Sequence, residues 1–416
     1  MNFFVIDPGG LYVELANKLS DGGKHKVYYW TSWTGAFPSF TDYAPGLNFE
    51  HLQKEKWLYK IEEADCIFFP DVHSGDLAYF IKKLFPKKSV FSSGKGEILE
   101  AKRLGLKTIL EQLKLPVQHY EKITGITKLK EYIKKSPDKF IKTDIFRSED
   151  RGMNSFRAKS FNESEEIFRD INYAFGPFSD TIDFCVEDCI KSDVEIGVDG
   201  FYSAGVGYGE NILIGYEYNK ACYIGKVILY KDMPVALKET MDKFKPVLDR
   251  LDYRGAISTE ELIVDKVKHY FLDICSRFLS PSDVMYTLSD NFPEMVNNIG
   301  LKKPFKIGIP YKYVACAPIE ASHAEKHYVK LIVDPKDRKN VKFKTVGCVG
   351  KDYYGIPGHS TVAVALGYGN TVDEAINMAT KYSEKVSGYS VSNLACRDFM
   401  NIKEEIEKGK KLGLDF

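Results

Sequence analysis

Two acidic side chains lie in a stretch of the chain that otherwise has the pattern of a buried β-hairpin. The segment STEELIVDKVKHYFLDICSR, residues 258–277, alternates between apolar and polar residues on either side of a turn near Val267. In an antiparallel hairpin of this length, Glu261 lies opposite Asp273 on one face of the sheet. The other residues expected on this face are Phe271, Cys275 and Arg277. The residues expected on the opposite face, towards the core, are Leu262, Val264, Tyr270, Leu272 and Ile274.

Opposed carboxylates repel each other, and burial increases the cost, so something must neutralise this pair. Arg277 could pair with one carboxylate, one carboxyl could be protonated and act as a general acid, or a divalent cation could bind both. We favour the cation. The hairpin offers oxygen ligands without a cluster of histidines or thiolates, so Mg²⁺ fits better than Zn²⁺. Because Mg²⁺ held by carboxylates usually takes substrate phosphates as further ligands, the hairpin indicates a metal–nucleotide site.

Two further segments carry residues suited to a nucleotide. KFIKTDIFR places Lys142 at the end of an apolar strand, and the polar loop SEDRGMNS with Gly152 follows at once. A lysine there can reach phosphate oxygens while loop amides cover them, although a lysine that leaves the strand for solvent is an equal alternative. CVEDCIKSDVEIGVDGFY places Glu187 and Glu195 eight residues apart. A strand with a short turn can offer backbone groups to adenine and a carboxylate to ribose, but this spacing alone is weak evidence.

The elements that would position these residues follow one another along the chain. Strands and helices alternate in the first 95 residues, which is typical of a small parallel sheet. GEILEAKRLGLKTILEQLKLPV then has helical spacing and is closed by Pro116. We predict an α/β and α+β protein with a βαβ domain at 1–95, a central domain at 96–305 and a mixed α+β part at 306–416 that completes the core.

The composition restricts the class of protein. The chain of 416 residues has 58 basic and 58 acidic residues, and this balance argues against a protein that coats nucleic acid. We find no apolar run of the roughly 18 residues that a membrane span needs, and the N-terminus MNFFVIDPGG lacks the features of a signal peptide. The eight cysteines form no CxxC pair, as in proteins with reduced thiols. We therefore expect a cytoplasmic globular protein, most simply an enzyme.

Taken in chain order, these segments resemble the ATP-grasp superfamily. The resemblance is carried by the strand lysine, the glycine loop, the glutamates of VEDC and VEIGVDG, and the hairpin YRGAISTE with FLDICSR. The start FVIDPGG and the tail GHSTVAVALGYGNTVDEAINMA are similar to the glycinamide ribonucleotide synthetase and carboxylase branch. The resemblance implies an ATP-grasp fold behind a small parallel-sheet domain.

The resemblance also implies roles for individual residues. The implied roles are nucleotide binding by Lys107 and Lys142, an adenine hinge at Glu187 and the backbone of Cys189, a ribose contact at Glu195, magnesium ligation by Glu261 and Asp273, and stabilisation of the transferred phosphate by Arg277. The family usually has asparagine where this chain has Cys275, and a neutral thiol is a poor ligand for Mg²⁺.

The activity implied by the resemblance is that of a ligase. Such an enzyme joins a carboxylate to an amine through an acyl phosphate and releases ADP and phosphate. The implied cofactors are ATP and Mg²⁺, with Mn²⁺ as an alternative, and the partners are small molecules, such as an amino acid and an amine on a nucleotide or sugar phosphate. Whether the protein forms a homodimer is left open. The alternatives are a non-catalytic or regulatory ATP-binding protein, and an acyl-CoA-type ligase or phosphotransferase.

Overall fold

The first part of the chain forms a parallel sheet, as the alternation of strands and helices predicts. The computed structural model describes residues 1–32, 44–55, 58–144, 154–192, 194–218, 222–266 and 268–416. The five strands are β1 (Asn2–Ile6), β2 (Lys26–Trp30), β3 (Leu52–Glu55), β4 (Cys66–Phe68) and β5 (Ser89–Phe91). They are all parallel in the order β3-β2-β1-β4-β5, with helices α1 (Val13–Leu19) and α2 (Gly75–Leu84) as connections.

A four-stranded antiparallel sheet comes next. It is preceded by helices α3 (Ile98–Ala101) and α4 (Arg103–Gln112). Its strands are β6 (Tyr120–Thr124), β7 (Lys139–Thr143), β8 (Ser155–Ala158) and β9 (Asp183–Asp188), in the order β6-β9-β7-β8. Helices α5 (Ile126–Lys135) and α6 (Phe161–Phe175) pack on this sheet and share a separate apolar core with it. The predicted pairing of β7 with β8 is confirmed, whereas the predicted glycine loop at Gly152 lies outside the described residues.

A ten-stranded sheet forms the centre of the molecule. Its strands are β10 (Glu195–Ser203), β11 (Gly207–Tyr208), β12 (Asn211–Tyr218), β13 (Cys222–Leu229), β14 (Arg254–Ile263), β15 (His269–Cys275), β16 (Tyr313–Ala321), β18 (Val341–Phe343), β21 (Thr361–Gly369) and β23 (Val391–Ser392). The main path is β15-β14-β10-β12-β13-β16-β21-β18. Because β13 pairs with β16, the sheet combines strands from both sides of residue 305.

Helices and a small sheet complete the fold. The helices are α7 (Val235–Arg250), α8 (Phe292–Gly300), α9 (Val372–Ser383) and α10 (Phe399–Lys411), and the small sheet contains β17 (Val329–Ile332), β19 (Val346–Val349), β20 (Asp352–Gly355) and β22 (Ser387–Gly388). One apolar core runs from Phe3 to Phe416. No helix in the described part of the chain is long and apolar enough to cross a membrane.

The predicted hairpin exists as β14 and β15, but its predicted register is wrong. Asp273 lies opposite Glu260, whereas Glu261 lies opposite Phe271, because a bulge shifts the pairing between Glu260 and Glu261. Phe271 is fully buried against Phe244 and therefore lies on the core face, not on the face of Asp273. The bulge interrupts the strict two-residue alternation on which the prediction depended.

Candidate active site

A row of carboxylates crosses one face of the ten-stranded sheet. Glu260 lies opposite Asp273 on one side and opposite Gly197 on the other. Glu195 is two residues before Gly197 on β10, and therefore lies on the same face. Glu217 on β12 belongs to the same group and lines a small cavity with Glu195 and Glu260. The sequence thus places acidic side chains of four neighbouring strands on one face.

The carboxylates of this row disfavour one another's charge. Burial raises the pKa of Glu260 well above its usual value, and the charges of Glu195, Glu217 and Asp273 raise it further, while Lys142 opposes them. Lys142 Nζ lies 4.0 Å from Asp273 Oδ2. Arg103, the first residue of α4, forms an ion pair with Asp273. A divalent cation bound among these carboxylates would reduce the repulsion between them.

The two predicted nucleotide lysines come together, although they are on different elements. Lys107 Nζ lies 2.7 Å from Glu187 Oε1, and Lys142 Nζ lies 3.6 Å from Glu187 Oε2. Gln118 Nε2 also donates to Glu187 Oε2, at 2.6 Å. Lys142 donates to the carbonyl oxygen of Leu272 at 2.7 Å, which fixes its ammonium beside β15. Glu187, on β9, therefore holds the lysines of α4 and β7 in one buried cluster.

These contacts form a continuous chain of alternating charges. In order it contains Arg103, Asp273, Lys142, Glu187 and Lys107, each within ion-pair distance of the next. The chain joins α4, the four-stranded sheet and the edge strand β15 of the central sheet. It has one more positive than negative charge, and it lies beside the carboxylate row. The arrangement therefore places cations suited to phosphate oxygens next to carboxylates suited to a metal ion.

Arg277 forms ion pairs with residues outside the hairpin. Its Nε lies 3.0 Å from Glu100 Oε1 and 3.8 Å from Asp71 Oδ1. Glu100 also accepts the backbone N–H of Ser276 at 2.7 Å, so α3 positions the whole end of β15. Burial opposes the charge of Arg277, but Glu100 and other neighbouring anions keep the pKa of the guanidinium well above its usual value. A salt bridge from Arg277 to Asp273 is therefore not the compensator of the hairpin.

Glu261 does not lie with the other predicted metal ligands. It is fully buried on the core face, 3.4 Å from His269 Nε2. Burial raises the pKa of Glu261 to about 8. The prediction that Glu261 is the partner of Asp273 in a metal site is wrong in position, and Glu260 is the residue that shares a face with Asp273.

The remaining predicted residues lie at the borders of this region. Glu195 belongs to the carboxylate row, and Cys189 follows the end of β9, two residues after Glu187. Cys275 lies opposite Ser258, one step along the sheet from the pair of Glu260 and Asp273. Cys275 thus occupies the same face as the carboxylates, as predicted.

The donor set fits a hard divalent cation that also binds phosphate. Among the residues that the structure describes, no three of His, Cys, Asp and Glu are grouped as a metal site. A site formed by Glu260 and Asp273 alone leaves most coordination positions for phosphate and water oxygens. This is the usual way in which proteins hold Mg²⁺ on a nucleotide.

Sequence reasoning missed three residues of this region. Arg103 lies four residues before Lys107, so both project from the same side of α4, and this spacing is a signal that could have identified it. Glu260 is adjacent to the chosen Glu261, and only the bulge decides between them. Glu217 stands in a run of Tyr and Gly with no motif that singles it out.

Comparisons with known proteins identify the fold. No protein-family model and no curated protein match the sequence. Phosphoribosylamine–glycine ligase from Thermotoga maritima superposes with a TM-score of 0.68 at 16% identity, over 94% of this chain and 98% of that chain. A biotin carboxylase complex with β,γ-ATP from Campylobacter jejuni gives 0.66 at 14% identity, over 98% and 96% of the two chains.

A third solved structure contains bound ligands. The biotin carboxylase domain dimer of 2-oxoglutarate carboxylase from Hydrogenobacter thermophilus, in complex with MgADP, ADP and bicarbonate, superposes with a TM-score of 0.64 at 12% identity. It covers 100% of this chain and 98% of that chain. At such low identities the likeness establishes the fold. The chain has the ATP-grasp fold, with the expected parallel sheet at its N-terminus.

Proposed function

We propose that the chain is an ATP-dependent ligase that joins a carboxylate to an amine through an acyl phosphate, with release of ADP and phosphate. The observation that supports this proposal most strongly is the alternating charge chain beside the carboxylate row. It places Lys107 and Lys142 on one side and Glu260 and Asp273 on the other, as a metal–triphosphate group requires. The fold is shared with structures that are named a phosphoribosylamine–glycine ligase and a biotin carboxylase in complex with β,γ-ATP.

The phosphate-binding part of the proposal uses three cations. Lys107 and Lys142 are held by Glu187, which restricts their ammonium groups to a small region before any substrate binds. Arg103 brings a third positive charge to the same region through its ion pair with Asp273. Such preorganised charges stabilise a phosphoryl-transfer transition state without reorganisation at the moment of reaction.

The metal part of the proposal uses Glu260 and Asp273. They offer two carboxylates on one face of the hairpin, and the neighbouring Glu195 and Glu217 increase the negative charge around them. Mg²⁺, when bound, would neutralise negative charge on the β- and γ-phosphates. Mn²⁺ is the alternative ion with the same ligand preference.

The reaction needs positioning more than acid–base chemistry. A carboxylate oxygen of the first substrate attacks the γ-phosphorus of ATP, the bond from phosphorus to the ADP oxygen breaks, and an acyl phosphate forms. The amine nitrogen of the second substrate then attacks the acyl carbon, phosphate leaves, and the nitrogen loses a proton to solvent. Arg277, fixed by Glu100 and Asp71, would stabilise negative charge that develops on the transferred group.

The nucleoside part of the proposal rests on the end of β9. The backbone that follows Glu187, at Cys189, is the proposed partner of adenine, because the Glu187 side chain is already bound by two lysines and Gln118. Glu195 is the proposed partner of the ribose hydroxyls. This role stays a prediction, because Glu195 also belongs to the carboxylate row. The proposed substrates are small molecules, such as an amino acid and an amine on a nucleotide or sugar phosphate, and a homodimer and a cytoplasmic location also stay predictions.

A second candidate function is that of a non-catalytic ATP-binding protein on the same fold. Cys275 favours it, because this residue lies beside the pair of Glu260 and Asp273 and offers a soft thiol where a hard oxygen would suit Mg²⁺. The intact lysines and carboxylates of the same region favour the ligase.

Analysis of nucleotide products distinguishes the two functions. The chain is incubated with MgATP and with pairs drawn from a panel of carboxylates and amines, and ADP, AMP, phosphate and pyrophosphate are measured. A ligase releases ADP and phosphate only when one particular pair is present. AMP and pyrophosphate would contradict the acyl phosphate, and tight ATP binding without turnover across the panel would favour the non-catalytic function.

Two variants make this assay specific to the site. Asp273→Asn removes a proposed metal ligand and should abolish nucleotide turnover while the fold survives. Asp183→Asn changes a carboxylate on the solvent side of β9, where it pairs with Lys122, and should leave turnover unchanged. Retained turnover in Asp273→Asn would contradict the metal assignment.

A further inference from the structure

A cavity of about 680 Å³ lies at the end of α1 that is remote from the candidate active site. Helix α1 begins next to Tyr12, whose hydroxyl donates to the carbonyl oxygen of Phe278, the neighbour of Arg277. The seven residues of α1 extend for about 10 Å away from this point. The cavity is lined by one side of α1 from Glu14 to Lys18, by residues 20–22 and 48–51, by Thr287 and by residues of the segment 335–353.

The lining of this cavity is rich in basic side chains from separate elements. These are Lys18 of α1, Lys342 of β18, Arg338 and Lys339 of the turn before it, and Lys351. The charges of Arg338, Lys18 and Lys339 all lower the pKa of Lys342, which shows that the group converges on one region. A neutral or cationic ligand would gain little from such a lining.

The acidic residues of the lining are already engaged elsewhere. Glu14 Oε1 lies 2.5 Å from Arg338 and accepts the backbone N–H of Phe343 at 2.9 Å. Asp21 pairs with Lys24 at 2.8 Å, and Glu50 is largely exposed beside His51. Among the described residues, no carboxylate lies within 4.0 Å of the ammonium groups that remain. These groups belong to Lys18, Lys339, Lys342 and Lys351.

Two of these lysines, Lys18 and Lys342, are also partly removed from solvent. Burial is the main cause that lowers the pKa of Lys342, and Glu14 opposes it only in part. Burial also lowers the pKa of Lys18. Ammonium groups in such surroundings gain free energy when an anion enters, because it replaces both the lost water and the missing counter-charge.

We propose that this cavity binds a small, multiply charged anion that carries phosphate groups. The volume lies within the range of small-molecule sites. The arginine, whose planar group suits a carboxylate, is already bound by Glu14, so the available cations are lysines. Lysines act as point charges and suit tetrahedral phosphate oxygens. The site is separate from the proposed ATP site and does not depend on that proposal.

Calorimetric titration with inorganic pyrophosphate, in metal-free buffer, tests the proposal. The wild-type chain is compared with Lys18→Gln/Lys342→Gln and with the control Lys87→Gln/Lys128→Gln, which removes two charges from exposed positions outside the cavity. We expect the first variant to bind pyrophosphate at least about tenfold more weakly, as the loss of charge-assisted hydrogen bonds implies. The control should bind as the wild type does.

Equal binding by all three proteins, or none by the wild type, would overturn the proposal. Citrate and inorganic phosphate form two further arms of the titration. Tighter binding of pyrophosphate than of citrate supports the assignment to phosphate groups. Equal affinities for citrate and pyrophosphate overturn that assignment. Retention of binding in the double cavity variant would place pyrophosphate in the active site instead.

Thermal unfolding of the single variant Lys342→Gln gives a second, independent test. Without anion this variant should melt at a higher temperature than the wild type, because it loses a half-buried ammonium group that lacks a close counter-charge. With pyrophosphate the wild type should have the higher melting temperature, since only the wild type keeps the full set of cations. If pyrophosphate raised the melting temperature of the variant as much as that of the wild type, the proposed site would be contradicted.

Discussion

Glu260 and Glu261 are neighbours with the same side chain, yet their surroundings differ completely. Glu260 lies beside Asp273 in a row of carboxylates with two cations close by. Glu261 points into the core, where His269 and Thr240 are its polar neighbours. The chemical role of a residue in this hairpin is therefore decided by the face of the strand on which it lies, and only Glu260 is placed to meet a cation.

Substitution of each glutamate separates the two roles. We expect Glu260→Gln to weaken the Mg²⁺-dependent part of ADP binding at least about tenfold, because it removes a proposed direct ligand. Glu261→Gln, the matched control, should leave that part unchanged within about twofold, because its side chain is remote from the cation. Calorimetric titrations of ADP with and without Mg²⁺ measure the difference. A loss confined to Glu261→Gln would show that the hairpin has the register expected from strict alternation.

At the scale of the element, the sequence predicts the hairpin but not its bulge. The apolar alternation identifies β14 and β15, and a single extra residue then moves every following side chain to the other face. The helix α4 is likewise predicted by its spacing, together with Lys107. The ion pair between Arg103 and Asp273 could not be predicted, because its partners are 170 residues apart and no local pattern joins them.

Other elements show the same limit. The parallel sheet is predictable because helices follow the apolar runs of β1 and β4, and sequential units of this kind lie side by side. The helix α9 carries a capping box between Thr371 and Glu374, which marks its start in the sequence. The pairing of β13 with β16 has no such signal, because about 80 residues separate the two strands.

The cluster around Glu187 provides a prediction at the scale of the element. Glu187 is fully buried and binds lysines from α4 and β7, so Glu187→Gln removes the counter-charge of Lys107 and leaves Lys142 with Asp273 at 4.0 Å. We expect the free energy of unfolding to fall by about 3 kcal/mol, as when one partner of a buried ion pair is removed. Urea unfolding monitored by circular dichroism measures the change.

The control for this prediction lies on the same strand. Asp183→Asn removes a partner of the exposed Lys122, and such surface pairs contribute less than about 1 kcal/mol. Similar losses in both variants would mean that the Glu187 cluster does not connect the four-stranded sheet to the rest of the molecule. A small loss in Glu187→Gln would mean that water reaches the lysines.

At the scale of the whole molecule, one large core joins the N-terminal segment, the ten-stranded sheet and the C-terminal segment, while the four-stranded sheet keeps its own. The predicted boundary near residue 305 falls between strands that belong to the same ten-stranded sheet. The apolar core contains residues from the first strand to the last residue of the chain, where Phe416 packs on Tyr216 and Tyr313. The division into three domains therefore describes segments of the sequence. Whether each segment folds independently stays a prediction.

Truncation tests this division directly. A fragment of residues 1–305 lacks β16, β18 and β21, so the whole length of β13 becomes an open sheet edge with apolar surface beside it. We expect the fragment to aggregate, or to unfold without a cooperative transition, in size-exclusion chromatography and calorimetry. Coexpression with residues 306–416 should restore a cooperative transition. A monomeric 1–305 fragment with a sharp transition would establish an independent unit.

The pH dependence of stability offers a further prediction for the whole molecule, because Asp7 lies inside the common core. Asp7 accepts hydrogen bonds from the Tyr29 hydroxyl at 2.6 Å and the Tyr12 amide at 2.8 Å. Burial nevertheless raises the pKa of Asp7 from 3.8 to about 6. Because the native pKa is above the unfolded one, this contribution to stability is complete below about pH 4 and is lost as the pH rises through 6.

Asp7→Asn removes this titration and supplies the comparison. Relative to the variant, the wild type should lose about 3 kcal/mol of unfolding free energy between pH 4 and pH 7, the energy that corresponds to a rise in pKa from 3.8 to about 6. Urea unfolding at half-unit intervals of pH measures both proteins. A difference that stays constant with pH would show that Asp7 ionises in the folded protein as easily as in the unfolded chain. If the wild type instead gained unfolding free energy relative to the variant as the pH rose, the hydrogen bonds from Tyr29 and Tyr12 would outweigh the effect of burial on the pKa of Asp7.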